Sequence, residues 1–174
     1  MHHSESMSGA RAGTAAGMAT MEATAMSISE FCVRDVVCTT RTATIAKAAA
    51  LMRHHHVGDV LVVDEAGDRR IPVGIVTDRD IVIEVVAAGV DPRLLKVGDL
   101  LQRPIVTVTE DKSYGDTIRL MTVNGVRRMP VVDRTGSLIG IISVDDMLRQ
   151  LAVPLAALAE LPDRSRHLEM QARK

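Results

Sequence analysis

The sequence predicts an α/β (α+β) protein of two repeats, each running β-α-β-β-α, stacked on one another with pseudo-two-fold symmetry. Three observations carry this prediction. The stretch Gly74-Ile75-Val76-Thr77-Asp78-Arg79-Asp80 returns as Gly140-Ile141-Ile142-Ser143-Val144-Asp145-Asp146, each an apolar strand that closes on a hydroxyl residue with an aspartate three positions later. The segments that precede the two stretches align in the same order. Finally, 47% of the residues are hydrophobic, yet the chain holds one Phe, one Tyr and no Trp, so the core has to come from Val- and Ile-rich strands buried under helices. A unit of roughly 60 residues is marginal alone because one sheet face and one helix face stay uncovered; two stacked units bury both.

Residues 1–26 are Ser, Gly, Ala, Thr and Met without period. Such a segment buries too little to offset its ordering entropy and is expected to be a disordered tail. The first repeat is assigned to residues 27–90, the second with a C-terminal helix to 91–161, and a polar tail to 162–174. Ser27 or Ser29 is expected to cap a short helical turn through Glu30 and Phe31. Val33–Val36 aligns with Val97–Leu100, and Thr44–Met52 with Ser113–Met121; the latter pair opens on a hydroxyl N-cap and then places apolar residues at helical spacing. Val60–Asp64 aligns with Met129–Asp133 as a buried strand, followed by a turn carrying Gly67 or Gly136. A second strand, Ile71–Thr77 or Leu138–Ser143, leads into the repeated corner. There a hydroxyl followed three residues on by a carboxylate, ahead of an apolar run, is a helix-capping pattern. The closing helices are therefore predicted over Arg79–Ala88 and from Val144 to about Leu161, with a bend available at Pro154. Asp91-Pro92-Arg93 marks the connector.

Several function classes are disfavoured. A formal charge of −1 creates no global field toward nucleic acid or anionic lipid. Arg164, Arg166, Arg173 and Lys174 alternate with Asp163 and Glu169, which reads as a solvated tail and not a nucleic-acid stripe. No apolar stretch has membrane length, since Leu151–Leu161 is too short and carries Glu160, and the N-terminus lacks a signal peptide's basic region and apolar core. Cys32 and Cys38 have no C-x-x-C spacing; this fits a reducing, cytoplasmic setting better than a disulfide framework. His54-His55-His56 cannot all face one ion, because consecutive helical residues point about 100° apart. They are read as crowning a helix C-terminus, with His56 adjoining a ligand cleft, and no metal site is expected. There is no P-loop, nucleophile elbow, H-E-x-x-H or paired catalytic carboxylate, so the chain is not expected to be an enzyme.

From Val33 to Leu151 the sequence resembles a tandem pair of cystathionine-β-synthase (CBS) domains, a Bateman module. The resemblance rests on the duplicated corner, the strands ending in Val-Val-Asp, and the segments His56-Val57-Gly58-Asp59-Val60 and Val126-Arg127-Arg128-Met129-Pro130-Val131-Val132-Asp133. It implies a regulatory module that binds adenosine-containing ligands in the cleft between the repeats: AMP, ADP or ATP first, then NAD, then S-adenosylmethionine. It also implies a disk-like homodimer and an unidentified downstream protein that receives the signal. Asp80 and Asp146 would hold ribose hydroxyls, and Thr77 and Ser143 would face ribose or phosphate. The chemistry suits these roles. A carboxylate is acceptor-only and can take both hydroxyls of a cis-diol, a helix N-terminus offers free N–H groups to an anion, and arginine's planar fork matches phosphate.

Each cleft of the family draws on both repeats. The Thr77/Asp80 site is thus expected to face Arg127 and Arg128, with Met129 and Pro130 assigned to the ligand site beside them. The Ser143/Asp146 site is expected to face His56, Val57, Gly58 and Asp59. Arg79 adds a cation beside Asp80, whereas Asp145 takes that place in the second corner, so the Thr77/Asp80 site is expected to be the stronger anion binder. The alternative is a structural dimerisation module without a physiological ligand, working through apolar faces around Ile28–Cys32 and Leu151–Leu161.

Overall fold

Two three-stranded sheets carry the fold in the computed structural model, which describes residues 27–173. The tail expected over residues 1–26 lies outside the described residues. In the first repeat, β1 (Cys38–Thr39) runs parallel to the central β2 (Asp59–Ala66), which pairs antiparallel with β3 (Arg69–Thr77). In the second, β4 (Val108–Thr109), β5 (Arg128–Val132) and β6 (Leu138–Ser143) repeat that order and polarity. Helix α1 (Ile45–His55) links β1 to β2, and α2 (Asp78–Ile81) follows the first corner; α3 (Tyr114–Asn124) and α4 (Val144–Ala159) hold the matching places in the second repeat. The expected hydroxyl caps are present: Thr44 Oγ1 accepts from Lys47 N at 3.3 Å, and Ser113 Oγ from Asp116 N at 3.1 Å.

The central strands are unbroken apolar runs because both of their faces are buried. Val60 and Val62 pack with Ile45, Ala48 and Met52 of α1. Leu61 and Val63 point the other way and meet Leu138 of the second sheet, in a layer completed by Val36, Cys38, Ile75 and Ile105. This layer is the seam between the repeats. Pro130 sits in a central strand, a poor place for a residue without an N–H. It is tolerated because β4 pairs only with Val131 and Val132, leaving β5 an edge at Pro130.

The repeats exchange their leading segments. Ile28, in a short turn capped by Ser27, is fully buried in the core of the second repeat with Met121, Met129 and Ile142. Val33 then bonds both ways to Ile141, at 2.8 and 2.9 Å. Val97 lies in the core of the first repeat and its N–H donates to Ala43 O at 2.8 Å. Each contiguous unit, 27–90 and 91–161, thus lends its first segment to the core of the other. Alignment cannot see this, because two duplicated cores accept the same residues. The exchange explains the corner glycines. A Cβ on Gly74 would lie 2.4 Å from Leu101 Cδ2, and one on Gly140 would lie 2.6 Å from Cys32 Sγ and 2.9 Å from Val33 O. They make room for the borrowed segments.

Three helices depart from expectation. The first closing helix is a single α turn, Asp78–Ile81, that widens into a π turn over Val82–Val86 and does not continue as one α-helix to Ala88. Helix α4 runs through Pro154 but stops at Ala159. Residues expected as a polar tail form α5 (Leu161–Ala172), with Pro162 in its first turn, where a missing N–H costs nothing. All of α5 is exposed, so it leaves no apolar periodicity to read. Among the described residues, no helix is long and apolar enough to cross a membrane.

Candidate functional site

Both corners fold as capping boxes. Thr77 Oγ1 accepts from Asp80 N at 3.1 Å and donates to Asp80 Oδ2 at 2.8 Å, while the same carboxylate oxygen accepts from Thr77 N at 2.9 Å. Ser143 and Asp146 repeat the pattern, with Asp146 N donating at 3.2 Å and Ser143 N at 3.0 Å. The hydroxyl proton and one carboxylate oxygen are thus committed to the turn. The turn leaves Oδ1 of each aspartate and one acceptor position of each hydroxyl unused. Arg149 Nη1 stands 3.5 Å from Asp146 Oδ1 at the surface.

Beside the second corner lies a cleft of about 320 Å³. It gathers His56, Val57, Gly58 and Asp59 from the first repeat with Ile141, Ser143 and Asp146 from the second. It also takes Val33, Asp35, Val36 and Val37, which the sequence reading did not place there. The signal available for these was the duplicated Val33–Val36 segment, whose crossing to the second repeat becomes visible only in space. His56, at the cleft, ends α1 in the left-handed region, φ 55°, where Gly125 ends α3 at φ 64°. A broader surface depression over Ala49, Ala50, Arg53 and His54 also touches His56. It is an open helix face lined by no carboxylate, so the smaller cleft is the better candidate.

The remaining assigned residues lie elsewhere. Thr77, Arg79 and Asp80 are outside this cleft, and Arg79, Arg127 and Asp145 are exposed. Met129 is fully buried in the second core, because strand alternation sends it to the face opposite Arg128; Pro130 is buried in β5. Arg127 serves through its backbone: its carbonyl accepts from Val144 N at 2.9 Å, as Gly58 O does from Asp78 N.

Arg128, expected to face the Thr77/Asp80 site, lines the second corner's cleft, where its guanidinium pairs with Asp59. Register explains this. Asp59 lies opposite Thr77 and Arg128 opposite Ser143, so they are equivalent positions that meet across the seam. Burial pushes the Asp59 carboxyl up; Arg128 pulls it down without overcoming that effect, and Asp78 adds a further upward push. The cleft therefore carries Asp35, Asp59 and Asp146 against Arg128. Besides the asymmetry expected from Arg79 and Asp145, Asp59 and Arg128 set a second one.

The CBS domain family model matches residues 28–87 and 97–153, one copy over each repeat. This chain belongs to the CBS domain family. The CBS pair is 37% identical over 135 residues to the MK0525 protein of Methanopyrus kandleri, covering 78% of this chain and 67% of that protein. It is 35% identical over 116 residues to hypoxic response protein 1 of Mycobacterium tuberculosis, covering 67% and 78%. A crystal structure of hypoxic response protein I with two coordinated zinc ions superposes on the CBS pair with TM-score 0.62 and 32% identity, over 71% of this chain and 98% of that one. The CBS domain protein PAE2072 from Pyrobaculum aerophilum, complexed with AMP, superposes with TM-score 0.63 and 25% identity, over 74% and 99%. Among the described residues of this CBS pair, no three His, Cys, Asp or Glu side chains are gathered to hold a metal ion.

Proposed function

We propose that this CBS pair is a regulatory module that binds an adenosine-containing ligand at the Ser143/Asp146 corner and signals its occupancy to a protein partner. One observation carries the reading: a cleft between the repeats joins Asp146, whose Oδ1 is not used by the helix cap, an arginine and an apolar wall of Val36, Val37 and Val57. The valines suit a base, Asp146 Oδ1 suits a ribose hydroxyl, and Arg128 is the cation available to a phosphate. The AMP complex of PAE2072 supports the ligand class. AMP fits this charge balance better than ATP, since three carboxylates oppose each added negative charge. NAD and S-adenosylmethionine share the adenosine end and are tested alongside.

Binding without turnover is the reading, since the corner groups are engaged in helix capping. Exposed Val82, Ile83 and Val86 in the first repeat, with Leu148 and Leu151 on α4, supply apolar faces for a disk-like homodimer. Titration calorimetry with AMP, ADP, ATP, NAD and S-adenosylmethionine tests the assignment. Asp146→Ala is expected to weaken the best ligand at least tenfold, the loss of about one charge-assisted hydrogen bond, and Asp80→Ala to have the smaller effect. Wild-type binding by both variants would sink the corner assignment. In thermal unfolding, ligand at 100 times its Kd should add about 2.7 kcal/mol of stability. A dimer that no ligand stabilises would favour the structural dimerisation reading.

A further inference from the structure

We propose that Asp59 competes with ligand phosphate for Arg128, so that the cleft selects its ligand by charge and disfavours the more phosphorylated nucleotides. The inference rests on the cleft being a nucleotide site and names the selectivity of that site. Arg128 is the guanidinium that lines the cleft, and it is already paired. Its side chain is 37% exposed and that of Asp59 only 15%. A phosphate that takes Arg128 leaves behind a carboxylate with little access to water. Asp78 stands close by, since its Oδ2 lies 3.4 Å from where a Cβ on Gly58 would be. Uncovering Asp59 therefore adds a poorly solvated charge next to another carboxylate, in a cleft that also holds Asp35 and Asp146.

A neutral nucleoside needs none of this exchange. It can use Asp146 and the valine wall while the Asp59–Arg128 pair stays closed. A phosphorylated ligand has to outbid Asp59, and each further negative charge meets the same carboxylates. The pair also joins β2 of one repeat to β5 of the other. Ligands that open it release a tie across the seam, and ligands that leave it closed do not. Phosphorylation state would thereby be read as a difference in the coupling of the two repeats.

The test is titration calorimetry on the full chain with adenosine, AMP and inorganic pyrophosphate, for the wild type, Asp59→Asn and Arg128→Gln. Asn preserves the shape of Asp59 and removes its claim on the guanidinium. The AMP-to-adenosine affinity ratio is expected to rise about tenfold in Asp59→Asn and to fall below the wild-type ratio in Arg128→Gln. Pyrophosphate should bind Asp59→Asn more tightly than wild type. An unchanged ratio in Asp59→Asn, with unchanged pyrophosphate binding, overturns the competition. If adenosine binds none of the three proteins while pyrophosphate still gains in Asp59→Asn, the nucleoside reading falls and the competition stands.

Discussion

His56 holds a conformation that its counterpart in the second repeat assigns to glycine. Its φ of 55° places Cβ against its own backbone, a cost of about 1 kcal/mol that Gly125 avoids at φ 64°. His56→Gly should therefore raise stability in urea unfolding by up to about 1 kcal/mol; a loss would mean that the ring supports the fold. Asp59 gives the matching pH prediction. Burial raises its folded pKa above the unfolded value of about 3.9, so the folded state holds the proton more tightly. Its contribution to stability is present below that unfolded value and is lost as pH rises through the folded one. Asp59→Asn should flatten this decline in urea unfolding measured across a pH series above about 4; an identical slope in the variant would refute it. The residue types at both positions were plain in the sequence. Their roles were not, because the left-handed turn and the Arg128 contact depend on which repeat faces which.

At the scale of elements, the two hairpins share one irregularity. Both shift register between the same paired positions, Val62/Val63 and Val131/Val132, beside Gly74 and Gly140. Alanine at these glycines should destabilise unequally. Gly140→Ala drives a methyl toward the Val33 carbonyl, which is fixed by two strand-like hydrogen bonds, whereas Gly74→Ala meets the rotatable tip of Leu101. The first should cost about 1–3 kcal/mol by denaturant titration and the second less; the reverse order would show that the Cys32–Val33 segment yields. The corner was the most legible feature of the sequence, since its caps are local and set by neighbouring residues. The reason for its glycine was hidden, because the residues that press on it come from the leading segment of the other repeat.

At the scale of the molecule, the exchange of leading segments makes stability a joint property of both repeats. Ile28 belongs to the first repeat in sequence and to the second in space. Ile28→Ala should cost about 2–4 kcal/mol, and hydrogen exchange should show the loss around β5 and β6 before β2 and β3. Loss confined to the first repeat would contradict the exchange. Duplication made the two-unit architecture readable from one chain, and the alternation of Val60 to Val63 made its layers readable. What the duplication concealed was the pairing of segments with cores, because either assignment buries the same kinds of side chain.

That crossing also sets a schedule for synthesis. The first core is complete once Leu101 has emerged from the ribosome. Ile28 and Phe31 leave first, yet their partners Met129 and Ile142 come out roughly a hundred residues later; at about 5–20 residues per second this is a wait of about 5–20 s. During that interval the newborn chain trails an apolar, unhoused turn ahead of an already folded half, a ready handle for a chaperone.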